Sequence, residues 1–76
     1  MSPNDRQTLG EERVRKGFNP RGDKLVDDIK HQSAELIDLC AAQDHGHGDS
    51  EASRLWALAM TAFEEGAMWA VKAATS

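Results

Sequence analysis

The sequence predicts an all-α protein: a short N-terminal helix followed by a long antiparallel helical hairpin, assembled into a symmetric homo-oligomer. Three observations carry this. Residues 24–42 and 50–74 repeat apolar side chains at helical spacing. Between them, Gln43-Asp44-His45-Gly46-His47-Gly48-Asp49 holds two glycines and no apolar residue, a helix-breaking loop that turns the chain back. The second stretch is apolar round more of its circumference than one partner helix covers.

Length points the same way. A chain of 76 residues is a single domain with a small core, and such scaffolds lean on disulfides, a metal or oligomerisation. One cysteine, Cys40, leaves no internal disulfide. Set among Leu36, Ile37 and Leu39, it reads as a small buried apolar residue in a reducing, cytoplasmic setting. Met1 to Arg6 has no apolar run behind it, so no signal peptide is expected. No apolar run approaches the roughly 20 residues that span a bilayer, so no membrane partner is expected.

In chain order, residues 1–16 form a polar arm or short helix. Thr8 with Glu11 fits a capping box and starts a helix from about Leu9 to Lys16, weakened by Gly10 and anchored only by Leu9 and Val14. Residues 17–23, Gly17-Phe18-Asn19-Pro20-Arg21-Gly22-Asp23, form a loop. Pro20 biases Asn19 to extended geometry, and Gly17 and Gly22 permit positive φ. Phe18 is flanked by Arg15, Lys16, Arg21 and Lys24. Two readings fit it: a plug folded back onto the helices, or a stacking platform for a base with cations nearby for phosphate.

Asp23 caps the helix over 24–42, with Asp27 and Asp28 near its positive end. Its expected stripe is Leu25/Val26, Ile29, Ser33, Leu36/Ile37 and Cys40. Asp27, Lys30, Ala34, Asp38 and Gln43 fall mainly on other faces. Asp49 or Ser50 caps the helix over 50–74. It has two stripes, one through Leu55, Leu58, Ala62, Gly66 and Trp69, the other through Trp56, Met60, Phe63, Ala67 and Ala74. Arg54, Thr61, Glu65, Met68 and Lys72 form the strip left over. Exposing the aromatics and Met60 together would leave a patch larger than soluble monomers usually carry, so closed self-association is expected.

Seven of the nine basic residues lie in 6–30 against five acids, a local charge of +2 in a chain of net charge −4. One basic corner on an acidic protein suits a small anion, not long nucleic acid, which rewards a broad basic face. Solvated surface charge is the alternative reading. His45 and His47 with Asp44 and Asp49 match no closed zinc site, so no metal is expected. No nucleophile–base constellation is visible, so no enzymatic activity and no cofactor are expected. Glu64 and Glu65 point about 100° apart on a helix and cannot act as one pair; a Glu65 bonded to an amide or a Trp N–H would be structural.

Phe18-Asn19-Pro20-Arg21-Gly22-Asp23-Lys24, then Ala34-Glu35-Leu36-Ile37-Asp38-Leu39, then Glu64-Glu65-Gly66-Ala67-Met68-Trp69-Ala70-Val71-Lys72-Ala73-Ala74 resemble the small phage anti-CBASS protein 2 family, related to the Thoeris anti-defence 1 proteins. The resemblance runs from about Arg13 to the C-terminus. It implies a non-enzymatic sponge: a hexamer in the bacterial host cytoplasm that sequesters cyclic dinucleotides such as 3′,3′-cGAMP between protomers, and in some members cyclic trinucleotides. By that resemblance Phe18 takes the place of a stacking aromatic, Lys30 that of a basic residue in the first long helix, and Arg15 that of a basic residue before the aromatic. Arg21 and Lys24 join them from charge and proximity, and Asn19 from the same loop. Members that bind trinucleotides carry a basic residue near the end of the last helix; here none follows Lys72. The competing expectation is an oligomeric interaction module that binds a host protein.

Overall fold

The computed structural model describes residues 6–43 and 50–76. It has three helices and, among the described residues, no strand: α1 (Leu9–Arg13), α2 (Lys24–Gln43) and α3 (Glu51–Ala74). α2 is the middle element, with α1 and α3 both packed on it. No helix is long and apolar enough to cross a membrane.

Local chemistry sets each boundary. Thr8 and Glu11 form the full capping box, each side chain accepting from the other's backbone N–H. α1 is shorter than the pattern to Lys16 suggests, because the chain leaves the helix through Arg15 at φ 56°. The Lys16 N–H returns to the Glu11 carbonyl at 2.9 Å and the Arg15 N–H to that of Glu12 at 3.2 Å, a Schellman ending. Gly17, which the sequence offers for positive φ, does not use it; Gly22 does, at φ 60°, closing the turn that Pro20 begins with its N–H bonded to the Asn19 carbonyl. Asp23 Oδ1 caps α2 by accepting from the Leu25 N–H at 2.8 Å. Ser50 caps α3 by accepting from the Ser53 N–H at 3.0 Å.

The core is small. Val14, Ala34, Ile37, Cys40, Met60 and Ala67 form it, with Ile29, Trp56 and Phe63 packed half-buried against it; among the described residues Ile37 alone of the large side chains is fully enclosed. On α2 the inward stripe is Val26, Lys30, Ala34, Ile37 and Cys40, a rotation away from the expected one. Leu25 and Leu36 face out, whereas Lys30 and Ala34, expected on outer faces, are buried. The reason is α1. Gly10 lies so close to α2 that a Cβ there would stand 2.1 Å from the Ala34 carbonyl oxygen. The Gly10 N–H donates to Asp38 Oδ1 at 2.7 Å, fastening the contact. The glycine that weakens α1 locally is what lets it dock, while Leu9, expected as an anchor, is exposed.

α3 turns its Trp56–Met60–Phe63–Ala67 stripe towards the core. The other stripe is bare: Leu55, Leu58 and Trp69 are each more than half exposed, and a Cβ added at Gly66 would meet nothing within 4 Å. The Cα framework measures 41 × 33 × 13 Å. A slab little thicker than one helix has no second layer with which to cover that face.

Candidate functional site

The Schellman ending of α1 places three groups on one another. With Arg15 in the left-handed region, its guanidinium lies 4.7 Å from the centre of the Phe18 ring. Lys30 rises from the buried stripe of α2. Its Nζ donates to the Arg15 carbonyl at 2.9 Å and the Phe18 carbonyl at 2.5 Å, and stands 5.5 Å from the ring centre. Burial, and then the Arg15 cation, push the Lys30 pKa below its ordinary value; Asp27 pulls the other way. Phe18 remains 56% exposed, so it is not buried as a core plug, while its backbone carbonyl is held by Lys30.

This cluster edges two cavities. The larger, about 420 Å³, has Arg15, Phe18 and Lys30 on one side and Thr61, Glu64, Glu65 and Met68 of α3 on the other. Its size falls in the range of small-molecule sites. The smaller, about 270 Å³, shares Phe18 and Lys30 and adds Asn19, Pro20 and Arg21.

The six residues singled out from the sequence divide three ways. Arg15, Phe18 and Lys30 come together at the larger cavity. Asn19 and Arg21 line the smaller one but are already engaged. Asn19 accepts from the Asp23 N–H and donates to the Asp23 carbonyl and Asp27 Oδ1, and Arg21 donates to the Thr75 carbonyl at 3.1 Å, at the negative end of α3. Lys24 lines neither cavity. It is exposed and paired with Asp28 at 2.9 Å, one helical turn away, which raises its pKa.

Sequence reasoning missed the opposite wall. Thr61, Glu64, Glu65, Met68 and Val71 recur at i, i+3, i+4, i+7 and i+10, the flank between the two apolar stripes of α3. The strip left over in the sequence already held Thr61, Glu65 and Met68. Glu64 and Glu65 both line the cavity in different states. Glu64 is paired with Arg13 Nε at 2.6 Å, while the same arginine reaches Thr61 Oγ1 at 3.4 Å. Glu65 is exposed and, among the described residues, has no hydrogen bond or ion pair, unlike the structural role expected for it. His45 and His47 lie outside the described residues.

The sequence pattern of the Acb2/Tad1 hairpin domain matches residues 10–75. The chain belongs to that family. No curated protein and no solved structure is found to match it. The Acb2/Tad1 hairpin family is associated with anti-CBASS and anti-Thoeris sequestration of signalling molecules. Its match takes in α2, α3 and all of α1 but Leu9, from the Gly10 contact to the Thr75 carbonyl that holds Arg21.

Proposed function

We propose that this Acb2/Tad1 hairpin protein binds cyclic oligonucleotide second messengers and holds them uncleaved, so that the bacterial immune effector they would activate stays off during phage infection. The observation that carries this is the Arg15–Phe18–Lys30 cluster at the edge of a cavity of nucleotide size. An exposed aromatic side chain suits stacking on a base, and Arg15 offers a planar, always-charged donor set to a phosphodiester. Cyclic dinucleotides of the 3′,3′-cGAMP kind are the proposed ligands, with cyclic trinucleotides as a second class.

Sequestration rather than hydrolysis suits the lining. The one hydroxyl on the α3 wall, Thr61, already receives a hydrogen bond from Arg13. The uncovered stripe of α3 and the thin slab support a closed homo-oligomer; that it is a hexamer acting in the host cytoplasm is what the family resemblance adds to the proposal.

Isothermal titration with 3′,3′-cGAMP, cyclic di-AMP, cyclic di-GMP and a cyclic trinucleotide tests the proposal, with the released ligand analysed afterwards. Micromolar or tighter binding and intact ligand are expected. Absence of binding to all four, or recovery of linear product, overturns it. The bare stripe also favours a second reading, in which that face binds a host protein; a monomeric mass in light scattering together with no ligand binding would support it.

A further inference from the structure

We infer that Glu65 selects a guanine base, by accepting the two adjacent N–H donors of its Watson–Crick edge while Phe18 and Arg15 hold the stacked ring and the phosphate. The inference rests on the proposed cyclic-nucleotide reading and deepens it. Its starting point is an oddity of the larger cavity. A site suited to a phosphodiester on one side presents two carboxylates on the other. Glu64 is neutralised by Arg13 at 2.6 Å. Glu65 is exposed and without a partner among the described residues, and it lines the same space as Arg15, Lys30 and the Phe18 ring.

A bare carboxylate repels a phosphodiester, so the site gains from Glu65 only if the ligand delivers donors to it. An ionised carboxylate accepts and never donates. Among bases read on their Watson–Crick edges, guanine sets N1–H beside the N2 amine, a donor–donor pair that matches a carboxylate in bidentate fashion. Adenine offers its N6 amine next to an acceptor nitrogen, cytosine does the same through N4 and N3, and uracil has one N–H between two carbonyls. Each of these turns a lone pair towards the carboxylate. Met68 and Val71, next on the same wall, give the ring an apolar surface.

The test compares cyclic di-GMP, cyclic di-AMP and cyclic di-IMP, whose inosine base lacks the N2 amine, on the wild type, Glu65→Gln and Phe18→Ala. Wild type is expected to prefer cyclic di-GMP over the other two by about tenfold to a hundredfold, the range for charged hydrogen bonds. Glu65→Gln presents one acceptor and one donor, which suits adenine. It should lose that preference while binding cyclic di-AMP as well as wild type or better. Phe18→Ala should weaken all three together. Equal wild-type affinity for cyclic di-GMP and cyclic di-AMP, or a preference that survives Glu65→Gln within about twofold, overturns the inference and leaves the sponge reading standing. Wild type that binds none of the three, nor any other cyclic oligonucleotide, overturns both. Because Glu65 is exposed and makes no bond among the described residues, the variant should fold as wild type does, and Glu65→Ala gives a second check on the loss of preference.

Discussion

The Lys30 ammonium holds the backbone carbonyl of Phe18 while standing 5.5 Å from the centre of the same residue's ring. A buried cation on α2 thereby fixes both where the loop sits and how the aromatic is presented. Lys30 is a positioning residue, since two of its three donors already serve the Arg15 and Phe18 carbonyls.

Lys30→Met is expected to destabilise the protein by about 1–3 kcal/mol, because two partly buried carbonyls lose their donor. It should weaken ligand binding as well, through the loop. Urea denaturation read alongside titration checks both, and loss of affinity with unchanged stability would refute the positioning role.

The same lysine has a pH signature. Its pKa is lowered in the folded state from an ordinary value of 10.5. Below the folded pKa both states are protonated and the fold bears the burial of the cation. Between the folded pKa and 10.5 the unfolded chain binds more protons, so stability contributed by this group rises with pH. The stability of wild type relative to Lys30→Met should therefore increase as pH is raised towards 10.5. Denaturation of both proteins across that alkaline range measures the difference, and a fall would contradict the assignment.

Arg15 carries opposing demands. At φ 56° a non-glycine residue is strained by roughly 1–2 kcal/mol, which glycine would relieve. Arg15→Gly should raise the melting temperature and lower cyclic-dinucleotide affinity by about tenfold or more, since a charged hydrogen-bond partner is lost. Thermal denaturation and calorimetry on one preparation suffice to see the two move in opposite directions.

Two glycines on helices should respond oppositely to alanine. Gly10→Ala forces a Cβ to within 2.1 Å of the Ala34 carbonyl oxygen, and about 1–3 kcal/mol of overpacking should outweigh the gain in helix propensity. Gly66→Ala meets nothing within 4 Å in the single chain. It should add up to about 1 kcal/mol to the helix yet weaken self-association if the bare stripe is the contact. Light-scattering mass on dilution, with Trp69→Glu as the severe case, separates the two effects.

The sequence by itself determined the three helices, the hairpin and most of their caps, because those depend on interactions within a few residues: Thr8 with Glu11, Asp23 with the Leu25 N–H, Ser50 with the Ser53 N–H. It also picked out Phe18 with Arg15 beside it, since an aromatic between cations in a Gly/Pro loop is visible without coordinates, whereas Lys30 came only from the family resemblance. It erred where a residue's role depends on what lies across from it. Periodicity placed Lys30 and Ala34 on outer faces, and only the docking of α1 through Gly10 shows that they face inward. Charge and proximity nominated Lys24, which lines neither cavity and pairs with Asp28, and helical spacing set Glu64 and Glu65 about 100° apart without showing that Arg13 reaches Glu64 and not Glu65. Helix formation is decided by neighbours in the chain. Which carboxylate is left bare, and which lysine is buried, is decided by contacts between residues 12 to 51 positions apart, and those exist only once α1 and α3 have closed on α2.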